Sequence, residues 1–181
     1  MENGESSWRR FMRGDPGGFE ETVEMYRLNL IYFVNRFVRN AEIAEDIAAD
    51  TFADLFIYKN RYNYKTSLKT YIFTIGRNKA VNYIRRNTKY LPFDEDIAAG
   101  CAELEQIVLR EERDRQLNAA LNKLKADYRA ILHLLYFEQL SYEDAAKILG
   151  KNKKQIDNLA YRAKLALKSI LLKEGFEYEI Q

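Results

Sequence analysis

Proline occurs at only two positions, Pro16 and Pro92, in 181 residues. A proline inside a helix removes a hydrogen bond and clashes with the preceding turn. The long stretches between and after these two positions are therefore open to continuous helix. The apolar residues argue the same way. Phe19, Val23, Tyr26, Leu30, Phe33 and Phe37 recur at steps of three and four, which puts them on one helical face. Ile43, Ile47, Phe52, Leu55 and Phe56 predict a second helix over about 41–58, with Asn40 as the cap before it. Leu68, Ile72, Ile75 and Ile84 predict a third over about 68–88.

The breakers divide the chain. Gly14, Asp15, Pro16, Gly17 and Gly18 form a cluster, so residues 1–18 read as an arm, loose or briefly helical. Around Pro92 the pattern fails again, and Asp94, Glu95, Asp96 and Gly100 mark an acidic linker. Leu117, Leu121 and Leu124, then Tyr128, Ile131, Leu132 and Leu135, restart the helical period. Two shorter helices follow, separated at Gly150. The expected fold is all-α: two small helical domains, 19–90 and 111–175, joined by a flexible linker, 91–110. A short acidic tail, 176–181, closes the chain.

Several function classes have little support. The single cysteine, Cys101, gives no internal disulfide and no thiolate zinc cluster. The first ten residues are polar and lack the apolar run of a signal peptide. No stretch is long and apolar enough to span a membrane. The expectation is a cytoplasmic protein with no membrane insertion. Asp46, Asp50 and Asp54 lie four apart, a row that could hold magnesium but reads better as a solvated or docking face. His133 stands alone in an apolar helix and reads as a packed side chain. No phosphate-binding loop or nucleophile motif occurs. No metal, cofactor or catalytic residue is expected, and the chain reads as no enzyme.

Charge is distributed unevenly, although the net charge is only +2. From Lys59 to Lys89 there are nine lysines and arginines and no acid, interleaved with Tyr62, Tyr64, Tyr71, Phe73 and Tyr83. Cations attract the phosphate backbone by releasing counterions, and aromatic faces stack on unpaired bases. The combination suggests DNA with partly exposed bases more than plain duplex. Asn78, Asn82, Arg85 and Lys89, spaced four, three and four, share one helical face. Immediately before this stretch, Glu42, Glu45, Asp46, Asp50 and Asp54 form an acidic helix without a cation.

A second DNA-binding element lies near the end. Ser141 with Asp144 resembles a capping box. Ala146, Gly150 and Ile156 follow with the spacing of a helix-turn-helix. Its second helix would begin near Asn152 and display Lys153, Lys154, Gln155, Asn158 and Arg162, the side chains nearest the bases in a major groove. From Lys147 to Lys168 the only acid is Asp157.

Three stretches together resemble an extracytoplasmic-function (ECF) sigma factor of bacterial RNA polymerase. They are the Ala44–Phe52 acidic helix, the Ser67–Arg86 segment and the Tyr136–Ala146 element. Tyr71 stands where the family carries tryptophan, Asp50 where it carries glutamine, and Asp157 where it often carries lysine. The resemblance implies roles. Glu45, Asp46 and Asp50 would dock on the β′ clamp helices of core polymerase. Tyr62, Lys65, Tyr71, Arg77, Asn78, Asn82, Arg85 and Arg86 would capture the melted minus-ten element, with Tyr62 as the stacking ring. Lys153, Lys154, Gln155, Asn158 and Arg162 would read the minus-thirty-five element. Implied partners are core polymerase (also through its β flap), promoter DNA and an anti-sigma factor. Two other readings compete. A free-standing helix-turn-helix regulator accounts for the second half alone. A metal-dependent nuclease would use the aspartate row.

Overall fold

The computed structural model describes residues 4–87 and 112–174. Lys89, the linker 91–110 with Cys101, and the tail 176–181 lie outside the described residues. Among those described, the structure is all-α, with no strand.

Of the two readings open for residues 1–18, loose or briefly helical, the structure has a short helix, α1, Gly4–Met12. Gly4, Ser7, Trp8 and Phe11 share one face, all buried, and Trp8 is fully so. The helix is held close to α2, Gly17–Val38, by a glycine: a Cβ on Gly18 would lie 2.3 Å from the Ser7 carbonyl oxygen. Ser7 Oγ donates to Glu21 at 2.8 Å, and Arg10 bridges Asp15 and Glu21. Pro16 sits just ahead of α2, where a missing N–H costs nothing.

Helix α3, Ala41–Ile57, is capped by Asn40, whose side-chain oxygen accepts from the Ile43 N–H at 3.0 Å. A 3₁₀ turn at Lys59–Arg61 and a loop lead into α4, Leu68–Asn87. Leu30, Phe33 and Val34 of α2 meet Leu55 of α3 and Leu68, Ile72 and Phe73 of α4 in the core.

The second half begins with α5, Glu112–Asn122, and α6, Ala126–Leu132. The chain then widens into a π turn, His133–Phe137. Helices α7, Tyr142–Leu149, and α8, Lys153–Lys173, complete it. Ile131, Leu134, Ile148 and Ile156 are the largest of its fully buried side chains among the described residues.

The two halves do not stand apart. Helix α4 packs on α7, and α2 packs on α6, so their apolar residues form one continuous cluster. Arg129 of α6 donates to the Arg36 carbonyl of α2, and Arg39 Nη2 donates to the Asn122 carbonyl at 2.6 Å. A single periodic face predicts one packing partner for each helix. Helices α2 and α4 each have several, because residues off the main face are also buried.

Candidate nucleic-acid interface

The loop after α3 is organised by an aromatic cluster. Tyr62 is only 5% exposed. Its hydroxyl donates to the Thr66 carbonyl at 2.8 Å, and its ring meets Trp8 edge-on at 6.2 Å and Tyr71 at 5.1 Å. Burial pushes its phenol well above the usual range. A ring held this way is a platform and not a free stacking face.

Tyr64 occupies the outer position. It is 45% exposed, its centroid lies 4.6 Å from that of Tyr62, and its φ is +60°. A bulky residue in the left-handed region is strained, and such strain collects at functional sites. The Arg9 guanidinium of α1 lies 5.5 Å from the Tyr64 ring centroid. The sequence names Tyr64 among the aromatics of the basic stretch but does not set it apart from Tyr62, because two tyrosines two residues apart look alike until the backbone turns at one of them. Lys65 is exposed beside it, and its N–H donates to Asn63 Oδ1.

Along α4, Asn78, Asn82, Arg85 and Arg86 are exposed and point away from the core. Arg77 is half-buried. Its Nη1 donates to Asn78 Oδ1 at 3.2 Å, and Nε has no partner among the described residues. The fold also brings acids to a stretch that has none of its own. Lys79 pairs with Asp54 of α3 at 2.7 Å, and Lys69 pairs with Glu138 at 2.6 Å.

On α3, Glu45, Asp46 and Asp50 are exposed on the outer face. Phe56 and Ile57 are exposed next to them and form an apolar cleft with Phe19 and Phe52. Among the described residues, no group of three His, Cys, Asp or Glu side chains could hold a metal.

The helix-turn-helix follows from its caps. Ser141 Oγ accepts from the Asp144 N–H at 3.0 Å. Gly150 has φ +63°, the left-handed value that favours glycine, and ends α7. Asn152 and Gln155 then form a reciprocal capping box, with each side chain accepting from the other's N–H at 2.9 Å. Lys153, Lys154, Gln155, Asn158 and Arg162 are all exposed, as is Asp157. Gln155 thus spends one side-chain oxygen on the cap. Ile156, Ala160 and Ala163 seat the helix against the core.

Beside this half, α5, α6 and α8 surround an apolar groove of about 390 Å³, lined by Leu117, Leu121, Leu132 and Leu167.

At the junction of the halves lies a buried charge cluster that sequence reasoning did not single out. Glu138 accepts from Asn29 of α2, Lys69 of α4 and His133. Burial holds His133 below its ordinary value, against the opposing pull of Glu138, so the ring is neutral. Its Nε2–H then serves Glu138, and Nδ1 has no partner among the described residues. His133 is packed, as expected, against Phe33 and Phe137.

Comparison with known proteins accounts for both halves. Residues 22–90 match the Sigma-70 region 2 family, and residues 114–167 match the Sigma-70, region 4 family. The chain is 28% identical over 166 residues to the RNA polymerase sigma factor YlaC of Bacillus subtilis, covering 89% of this chain and 96% of that one. It is 23% identical over 153 residues to the ECF RNA polymerase sigma factor SigM of the same organism, covering 83% and 93%. Among solved structures, it resembles the sigma factor RpoE of Bartonella quintana bound to the anti-sigma factor NepR. That match has a TM-score of 0.70 and 26% identity, and it covers 84% of this chain and 96% of that one. The region 2 match explains the half of the chain that a free-standing regulator left unexplained. The chain belongs to the sigma-70 family and is an RNA polymerase sigma factor of the extracytoplasmic-function kind.

Proposed function

We propose that this chain binds core RNA polymerase in the cytoplasm, carries it to promoters and opens the minus-ten element. The carrying observation is the pair of exposed polar rows, Asn78–Asn82–Arg85–Arg86 on α4 and Lys153–Lys154–Asn158–Arg162 on α8. The first row lies on the helix that follows an aromatic loop suited to unpaired bases. The second begins at a capped helix N-terminus suited to the major groove. Lys65, Tyr71 and Arg77 flank the first row, and Tyr62 supports the ring of Tyr64. Gln155 completes the second row.

Glu45, Asp46 and Asp50 dock on the β′ clamp helices, with Phe56 and Ile57 supplying apolar contact. The groove between α5, α6 and α8 receives the β flap. An anti-sigma factor, of the class that holds the Bartonella quintana relative, would cover these same faces. The chain itself performs no bond chemistry; the polymerase makes the RNA.

Gel filtration with core polymerase, followed by transcription from a genomic promoter library, tests this. Stoichiometric binding and new start sites are expected. Failure to bind core from the same host, with DNA binding intact, would overturn it.

A further inference from the structure

Glu138 is a buried carboxylate whose partners come from both halves of the chain. Its side chain is 3% exposed. One oxygen accepts from Asn29 Nδ2 at 3.0 Å and pairs with Lys69 Nζ at 2.6 Å. The other accepts from His133 Nε2 at 3.0 Å. Lys69 also donates to the Glu138 main-chain carbonyl at 3.1 Å. Asn29 and Lys69 belong to the region 2 half, whereas His133 and Glu138 belong to the region 4 half.

A carboxylate removed from water is costly unless it is paired and hydrogen-bonded. Glu138 is satisfied inside the interface only while the two halves stay in this one arrangement. Once separated, Glu138 and Lys69 are each solvated again. A buried pair of this sort adds little net stability over the hydrated ions, while a mismatched arrangement would leave a bare charge. Small net gain combined with strict geometry suits a reversible catch.

The closed arrangement also occupies two cations of the basic stretch. Lys69 is committed to Glu138. Arg77 is half-buried beside the helix-turn-helix, where a Cβ on Gly150 would lie 3.9 Å from Arg77 Nη1. Asn78, Asn82, Arg85 and Arg86 stay exposed.

We propose that Glu138 is an interdomain latch: with Lys69, Asn29 and His133 it holds the halves together, withholds Lys69 and Arg77 from DNA, and lets go when polymerase separates the halves. The last step rests on the function proposed above.

The full chain with Cys101→Ser, Glu42→Cys and Ser169→Cys, spin-labelled at the two exposed new cysteines, reports the distance between the halves. Glu138→Ala and Lys69→Met should each lengthen and broaden that distance without loss of helical circular dichroism. Glu138→Gln, which keeps shape and removes charge, decides the matter if either variant fails to fold. A distance distribution unchanged in the folded variants would overturn the latch. Freeing two cations should also steepen the salt dependence of single-stranded DNA binding. The slope of log affinity against log salt should change by about 1.4 in Glu138→Gln. Glu24→Gln, an exposed carboxylate elsewhere, serves as the charge control. Equal slopes in the two variants would overturn the masking of Lys69 and Arg77. Adding core polymerase to the labelled parent should lengthen the distance. Binding without lengthening would sink the latch and leave the sigma reading intact. Absence of binding by the unlabelled wild-type chain would sink the sigma reading, while the variants still judge the latch.

Discussion

Arg129 of α6 reaches across to α2 and donates from Nε and Nη2 to the main-chain carbonyl of Arg36, at 3.1 and 2.7 Å. The same guanidinium also donates to the Leu124 carbonyl. It is 4% exposed and sits at the last turn of α2, where the helix dipole favours a cation. Removing it strands carbonyls that water cannot easily reach. Arg129→Ala should lower the unfolding free energy by about 3 kcal/mol in urea titration. Arg129→Lys should recover only part of this, because an ammonium lacks the planar fork. A loss below about 1 kcal/mol would mean the contact is incidental.

Trp8 is the single tryptophan and is fully buried on α1. Its fluorescence should be blue-shifted and shielded from iodide in the native protein. Trp8→Ala should cost about 3–5 kcal/mol, the range for deleting a buried large ring. Free quenching in the native state would show that α1 does not pack.

Tyr62 and Tyr64 should separate in function. Tyr62→Phe removes the hydroxyl bond to Thr66 and should weaken promoter opening modestly. Tyr64→Ala removes the exposed ring and should reduce opening more, by about 1–3 kcal/mol of base stacking. Permanganate footprinting of the melted region reads both. The reverse ranking would return the stacking role to Tyr62.

Charge reversal at Lys153 and Lys154, as Lys153→Glu and Lys154→Glu, should weaken binding to a minus-thirty-five duplex. It should also flatten the salt dependence, by about 0.9 for each phosphate that is no longer neutralised. Titration of a labelled duplex at several salt concentrations measures this. An unchanged slope would mean that α8 does not lie on DNA.

Acid should destabilise the closed form in two stages. Burial alone would raise the Glu138 carboxyl, but the hydrogen bonds from His133 and Lys69, with the charge of Lys69, outweigh it and hold it at about 2. Its contribution is therefore present above its ordinary value of 4.5 and is lost as pH falls toward about 2. His133 is held below 6.5 by burial, with Arg36 and Lys69 acting in the same direction and Glu138 against. Its unfolded form takes up a proton first, so some stability goes as pH falls below 6.5. Asn29, the remaining partner, does not titrate. Urea midpoints measured against pH should show both stages, and Glu138→Gln should flatten the lower one. An unaltered slope below 4.5 in that variant would contradict the assignment.

Local rules carried much of this protein. The helical period of Phe19 to Phe37, the Asn40 cap, the Ser141 cap and the left-handed Gly150 are decided by neighbours within a few residues. They are visible in the order of side chains alone. So are the amides and cations spaced along α4 and α8, because a helix converts spacing directly into a shared face.

Tertiary structure decided what depends on distant partners. Trp8, Ser7 and Phe11 carry a helical period, but only the Gly18 gap on α2 makes α1 part of the core. Tyr62 and Tyr64 differ because the backbone turns left-handed at one of them, and nothing in two tyrosines two residues apart announces that. The cation stretch has no acid of its own, yet Lys69 is neutralised by Glu138, sixty-nine residues away in sequence. An ion pair is set by position in space, and positions in space follow from how α2 and α4 pack on the second half. That packing is a property of surfaces, which a one-dimensional pattern does not contain.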